Sequence, residues 1–120
     1  MIVAVWDIET GLVEEWIKSL DPHSLKQVVA ALDILEAEGP TLGRPLVDTI
    51  KGSRHKNMKE LRPGSVGATE LRILFIFDPE RRAILLVAGD KRGKWSEWYR
   101  RNVPIAESRY DAYLRELRNE

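Results

Sequence analysis

The sequence predicts an α+β domain in the order βααβββα, with two N-terminal helices packed on a largely antiparallel sheet and a C-terminal helix. Three observations lead there. Apolar residues recur at helical spacing up to Gly39 and Pro40. Strand-length segments joined by short turns follow, and an amphipathic stripe closes the chain. Short connections between consecutive strands favour antiparallel pairing, which places helices against one sheet.

The elements follow in order. "IVAVWDIE" mixes Val, Ile and Trp with polar residues and reads as a strand. Val13, Trp16, Ile17 and Leu20 fall at i, i+3, i+4 and i+7, one stripe of a short helix. "DPHS" restarts the chain, with Asp21 as N-cap and Pro22 at the first helical position. Leu25, Val28, Val29, Leu32 and Leu35 continue the spacing until "EGP" ends the second helix. After a loop, "TLGRPLVDTIKGS", the segment "RHKNMKELR" has strand length. "PGSVGA" supplies turn chemistry before "TELRILFIFD", and "PERR" makes a second tight turn into "AILLVAG". From Lys94 the pattern is helical again; Pro104 interrupts or restarts it, and Ala106, Tyr110, Tyr113, Leu114 and Leu117 give the final stripe.

At 120 residues the chain is expected to be a single domain over 1–120, and its 43% hydrophobic and 32% charged content is that of an ordinary globular protein. It contains no cysteine, which excludes disulfides, thiolate metal sites and a cysteine nucleophile. The start, "MIVAVWDIE", carries Asp7 and Glu9 and lacks a basic leader, so a signal peptide is not expected. No apolar run reaches the roughly 20 residues that span a bilayer, and the expected location is cytoplasmic, away from membranes. The net charge of zero hides a division: residues 1–43 hold two cations against eight acids, and residues 44–120 hold 17 against 11. The second part can attract a polyanion.

Elimination narrows the chemistry. His23 and His55 lie far apart without a metal-ligand spacing, and no phosphate loop, nucleophile elbow or dinucleotide fingerprint is present. No cofactor is expected. What remains is a basic set: Arg54, Lys56, Lys59 and Arg62 on the first meander strand or its lead-in, Arg72 on the second, and Lys91, Arg92 and Lys94 after the last. A meander makes these segments neighbours, so their cations can converge. Arg forks hold the nonbridging oxygens of a phosphodiester, and Lys stabilises developing charge. Trp95, Trp98 and Tyr99 follow directly. They offer flat faces to unpaired bases, although burial is the commoner fate of an indole.

The pieces "P.LG.P", "KELR", "ELR.LF.FDP.R.A.LL", "GDK.G.W..WY" and "VPIAESRYDAYL" resemble the RelE/ParE toxin superfamily, specifically its phage-derived HigB-like branch, over nearly the whole chain. The resemblance implies the toxin of a type II toxin-antitoxin pair. It also implies a ribosome-dependent, metal-independent endoribonuclease that cuts messenger RNA and inhibits translation. The superfamily also contains DNA gyrase inhibitors, and a non-toxic module that only binds an antitoxin is a further alternative. Carried over by motif, Arg72 contacts the scissile phosphate, Lys91 or Arg92 stabilises the transition state, and Tyr99, or Trp98 if the alignment slips by one, stacks on a base or aids attack. Lys56 and Lys59 fall where relatives carry lysines or a histidine, His55 is the neighbouring neutral base, and Arg62 contacts RNA or pairs with Glu60 or Glu70. The implied partners are the ribosome, messenger RNA and a cognate antitoxin. The antitoxin is commonly a helix-turn-helix DNA-binding protein in this branch, so DNA is met only through its complex.

Overall fold

A computed structural model describes residues 6–64 and 70–119. The expected strand residues 2–5 and most of the "PGSVGA" turn lie outside them. The elements run β1 (Asp7–Glu9), α1 (Glu14–Lys18), α2 (Pro22–Glu38), β2 (Val47–Thr49), β3 (Lys59–Leu61), β4 (Leu71–Phe77), β5 (Arg82–Asp90) and α3 (Trp95–Arg118), with single 3-10 turns at Gly11–Val13 and Gly39–Thr41. They form the expected α+β architecture around a five-stranded sheet of order β1-β5-β4-β3-β2. All its pairings are antiparallel except β1 with β5.

The sheet is covered on both faces, and the alternation of β4 shows why its apolar run is nearly continuous. Leu71, Ile73 and Phe75 join Val13, Val28, Ala31 and Leu35 in one core under α2. Leu74 and Ile76 join Ile84, Leu86, Val87, Trp98, Ala106 and Tyr110 in a second core under α3. A β-bulge shifts the β4–β5 register, so Leu74 faces Val87 whereas Phe75 faces Leu85. The extra residue is Leu86. Its carbonyl accepts a hydrogen bond from Arg109 Nη1 of α3 at 2.6 Å, which satisfies a backbone group on the bulge.

Three local outcomes differ from the spacing argument. The loop before the meander contains a fourth antiparallel strand, β2, pairing with β3 from Val47↔Leu61 to Thr49↔Lys59. The segment expected as one long strand is strand only over Lys59–Leu61, because Ser53, Arg54 and His55 are tied to α3 instead. And α3 runs unbroken through Pro104. The proline removes the hydrogen bond that the Arg100 carbonyl would accept, and Arg100 lies on the exposed side of the helix. Among the described residues no helix is long and apolar enough to cross a membrane.

Candidate nucleic-acid cleft

The α3 face of β3 and β4 carries the site. Glu60 stands opposite Asp48 on β2 and Leu74 on β4, and Arg72 stands opposite Gly89 on β5. Period-2 alternation therefore sends Asp48, Glu60 and Arg72 to the same side, with Arg62 two residues beyond Glu60 joining them. Gly89 has no side chain, and the Trp98 indole fills that space: a Cβ on Gly89 would sit 2.8 Å from Trp98 Nε1. Trp98 meets Tyr99 edge to face at 5.2 Å between ring centres, so the buried indole holds the phenol over the sheet.

Glu60 is the hub, 4% exposed. Its Oε1 accepts a hydrogen bond from the Tyr99 hydroxyl at 2.7 Å and lies 3.2 Å from Arg72 Nε. Its Oε2 accepts from Arg62 Nη2 at 3.3 Å, and the same nitrogen donates to Asp48 Oδ2 at 3.2 Å. Arg72 Nη1 donates to the Leu71 carbonyl. The Nε–H groups of Arg62 and Arg72 are buried without an aligned hydrogen-bond acceptor among the described residues; the Arg72–Glu60 contact is an ion pair of poor angle. Both guanidinium groups thus retain unused donor capacity.

Lys91 completes the cluster. It follows β5 directly, its backbone N–H donates to the Glu70 carbonyl, and it is 3% exposed. Its ammonium lies 3.7 Å from the centre of the Trp95 ring and 5.1 Å from that of Tyr99. Burial, with Arg72 beside it, holds its pKa below the ordinary lysine value. The Tyr99 hydroxyl is pushed the other way, up to about 12, by burial and by the Glu60 carboxylate. Glu60, Arg62, Lys91 and Tyr99 open together onto a cleft of about 320 Å³, whose other lining is Thr49, Ile50, Lys51 and Val103.

The structure sorts the expected residues. Arg72, Arg62, Lys91 and Tyr99 come together, with Trp98 as the support beneath Tyr99. Arg92 and Lys94 are exposed on the turn leading into α3. Lys59 pairs with Phe75 rather than with a residue of the cleft face, and its ammonium donates to Thr49 Oγ1 at 3.3 Å at the sheet edge. Lys56 is exposed on the loop. His55 Nε2 donates to Asp111 Oδ1 at 2.9 Å, and Arg54 binds Asp111 and Glu107. Those carboxylates lie two to three turns along α3 from Tyr99, up to about 18 Å at 1.5 Å per residue. Arg54 and His55 therefore clamp the loop to the helix, apart from the cluster. Glu60 was the residue that residue types alone did not single out. The signal was present in "KELR", where alternation puts Glu60 and Arg62 on one face. No group of three or more His, Asp or Glu side chains among the described residues is placed to hold a metal ion.

The chain is similar to known proteins over most of its length. Residues 15–111 match the family described as phage derived protein Gp49-like (DUF891). "Putative toxin HigB2" of Mycobacterium tuberculosis (strain ATCC 25618 / H37Rv) is 50% identical over 109 residues, 91% of this chain. "Putative toxin HigB3" of the same organism is 52% identical over 102 residues, 85% of this chain. The chain spans 54% of the length of the first relative and 87% of the second. The match covers the whole cleft and most of both cores, and the chain belongs to the Gp49-like family of phage-derived proteins.

Proposed function

We propose that the protein is the toxin of a toxin-antitoxin pair and acts as an endoribonuclease on messenger RNA at the ribosome. The names of its relatives support the toxin class. The observation that carries the nuclease reading is a carboxylate, an arginine, a lysine and a tyrosine lining one cleft, with a second arginine, Arg72, paired to that carboxylate.

The chemistry needs four tasks done. A ribose 2′-hydroxyl must lose its proton, the phosphate charge must be held, the P–O5′ bond must break, and the departing 5′ oxygen must receive a proton. Glu60 is the proton acceptor once the nucleotide displaces one of its present donors. Arg62 and Arg72 hold the nonbridging oxygens through guanidinium N–H groups beyond those bonded to Glu60, Asp48 and the Leu71 carbonyl. Lys91, whose lowered pKa makes it a readier proton donor than an ordinary lysine, gives its proton to the departing 5′ oxygen. Tyr99, neutral with its raised pKa, orients Glu60 and the incoming hydroxyl by hydrogen bonding. The products are a 2′,3′-cyclic phosphate and a free 5′-hydroxyl. The cognate antitoxin, of the helix-turn-helix DNA-binding kind, silences the site in the cytoplasm, and DNA is contacted through that complex alone.

Controlled expression tests this. Wild type stops growth and incorporation of labelled amino acid together, and Lys91→Met, which keeps the apolar stem but removes the ammonium, restores both. Growth arrest with translation intact and supercoiling lost would replace the nuclease by a gyrase inhibitor. Harmless expression of folded wild type would leave a binding module.

A further inference from the structure

Indole burial is the expected fate of a tryptophan, and among the two at the start of α3 only Trp98 meets it. Trp95 is 57% exposed, the largest exposure among the large apolar side chains described, and it stands beside the cleft. Its ring is not loose. The Lys91 ammonium lies against it at 3.7 Å from the centre, and Lys91 in turn is one of the side chains opening onto the cleft. A cation under one face fixes the ring, and the remaining surface is bare.

The surroundings say what kind of molecule that face suits. From Lys91 to Arg101 the sequence holds five cations, Lys91, Arg92, Lys94, Arg100 and Arg101, against one acid, Glu97. Arg92 and Lys94 are exposed on the turn that leads into Trp95, and Lys51 is a further cation lining the cleft. A flat aromatic face next to cations and beside a cleft lined by Lys51, Arg62 and Lys91 fits a strand whose charges and bases alternate. An apolar peptide would leave those cations unmatched, and a mononucleotide would use only one of them.

We propose that Trp95 is the stacking platform for one unpaired purine base, next along the strand from the phosphate held by Arg62, Arg72 and Lys91. The assignment rests on the nuclease reading for its direction and deepens it by naming a base-contacting residue. Trp95 positions substrate, and it does not take part in proton transfer. The larger face of a purine favours adenine and guanine over the pyrimidines at this one position.

Direct binding separates this from catalysis. The probes are a 2′-O-methyl adenosine hexamer, which cannot be cut, and a hexamer of the same backbone with one abasic site in the position sampled, titrated against the folded full chain by anisotropy. Wild type binds the intact hexamer about tenfold more tightly than the abasic one, and Trp95→Leu, which still covers Lys91 but has no aromatic face, binds both alike. Trp95→Phe restores most of the difference. Equal affinity of wild type for the two probes, or a full difference retained in Trp95→Leu, overturns the platform. Discrimination by wild type without any RNA cleavage by the same preparation would keep the platform and remove the nuclease. Cleavage with no effect of Trp95→Leu on either probe would do the reverse.

Discussion

Replacing Glu60 by Gln tests whether the carboxylate holds the cluster together. The substitution keeps size and acceptor oxygen but removes the charge that faces Arg72, whose side chain is 13% exposed, and Arg62, at 29%. Removing one partner of a buried ion pair costs about 3–5 kcal/mol. Arg62 retains Asp48, which argues for the lower end, about 3 kcal/mol. For a domain of this size that corresponds to a fall in Tm of roughly 10–15 °C. Arg72→Met leaves Glu60 with Tyr99 and Arg62 and also destabilises. The double variant removes the charge and its counterpart together, so the two effects are non-additive by about 1–3 kcal/mol. Chemical denaturation of wild type, both single variants and the double variant measures this coupling. A spectroscopic readout accompanies it: in Glu60→Gln the tyrosinate titration of Tyr99 moves down from about 12, while burial still keeps it above the ordinary value. Additivity within about 0.5 kcal/mol, with the tyrosine titration unmoved, would refute the hub.

Three further outcomes follow from the same contacts. Gly89→Ala puts a methyl against buried Trp98 and lowers stability by about 1–3 kcal/mol in denaturant melts, whereas Gly43→Ala, with nothing within 4 Å, leaves it nearly unchanged. Lys91 has a folded pKa below the ordinary lysine value, so the unfolded chain binds more protons between the two values. Stability measured by denaturant midpoint therefore gains from this group as pH rises through that window, and Lys91→Met lacks the gain. Asp78 is buried, and although burial raises its pKa, hydrogen bonds from Tyr113, Arg82 and Glu80 hold it below 3.8. Its contribution is present above the unfolded value and is lost as pH falls through the folded one, so Asp78→Ala flattens the loss of Tm below about pH 4.

The helical stripes and the two apolar strands were legible because each buries a continuous face: Val28 and Leu35 on α2 and Leu71 to Phe77 on β4 occupy the cores their spacing implies. β2 was not, since three residues are too few to show a period and its place depends on pairing with β3. The shortness of β3 was hidden for a related reason. Ser53, Arg54 and His55 are fixed by Glu107 and Asp111, more than 50 residues away in sequence, and local pattern carries no trace of that. The convergence of Arg62, Arg72, Lys91 and Tyr99 followed from the meander, which makes neighbours of strands adjacent in sequence. The carboxylate among them did not, because a lone glutamate between a lysine and a leucine is ordinary until the register places it opposite Asp48 and Leu74. Trp95 and Trp98 look alike as residue types. Only the glycine at position 89, which leaves room for one indole, separates them.

The most direct test of the central claim is to translate a defined messenger in a purified ribosomal system and map new 5′ ends with wild type, Lys91→Met and Arg72→Ala, after checking that each variant is folded. The account predicts cuts that require ribosomes, carry 5′-hydroxyl and cyclic phosphate ends, need no added metal, and disappear in both variants. An intact messenger with folded wild-type protein, or cuts that persist when Lys91 and Arg72 are replaced, would contradict it.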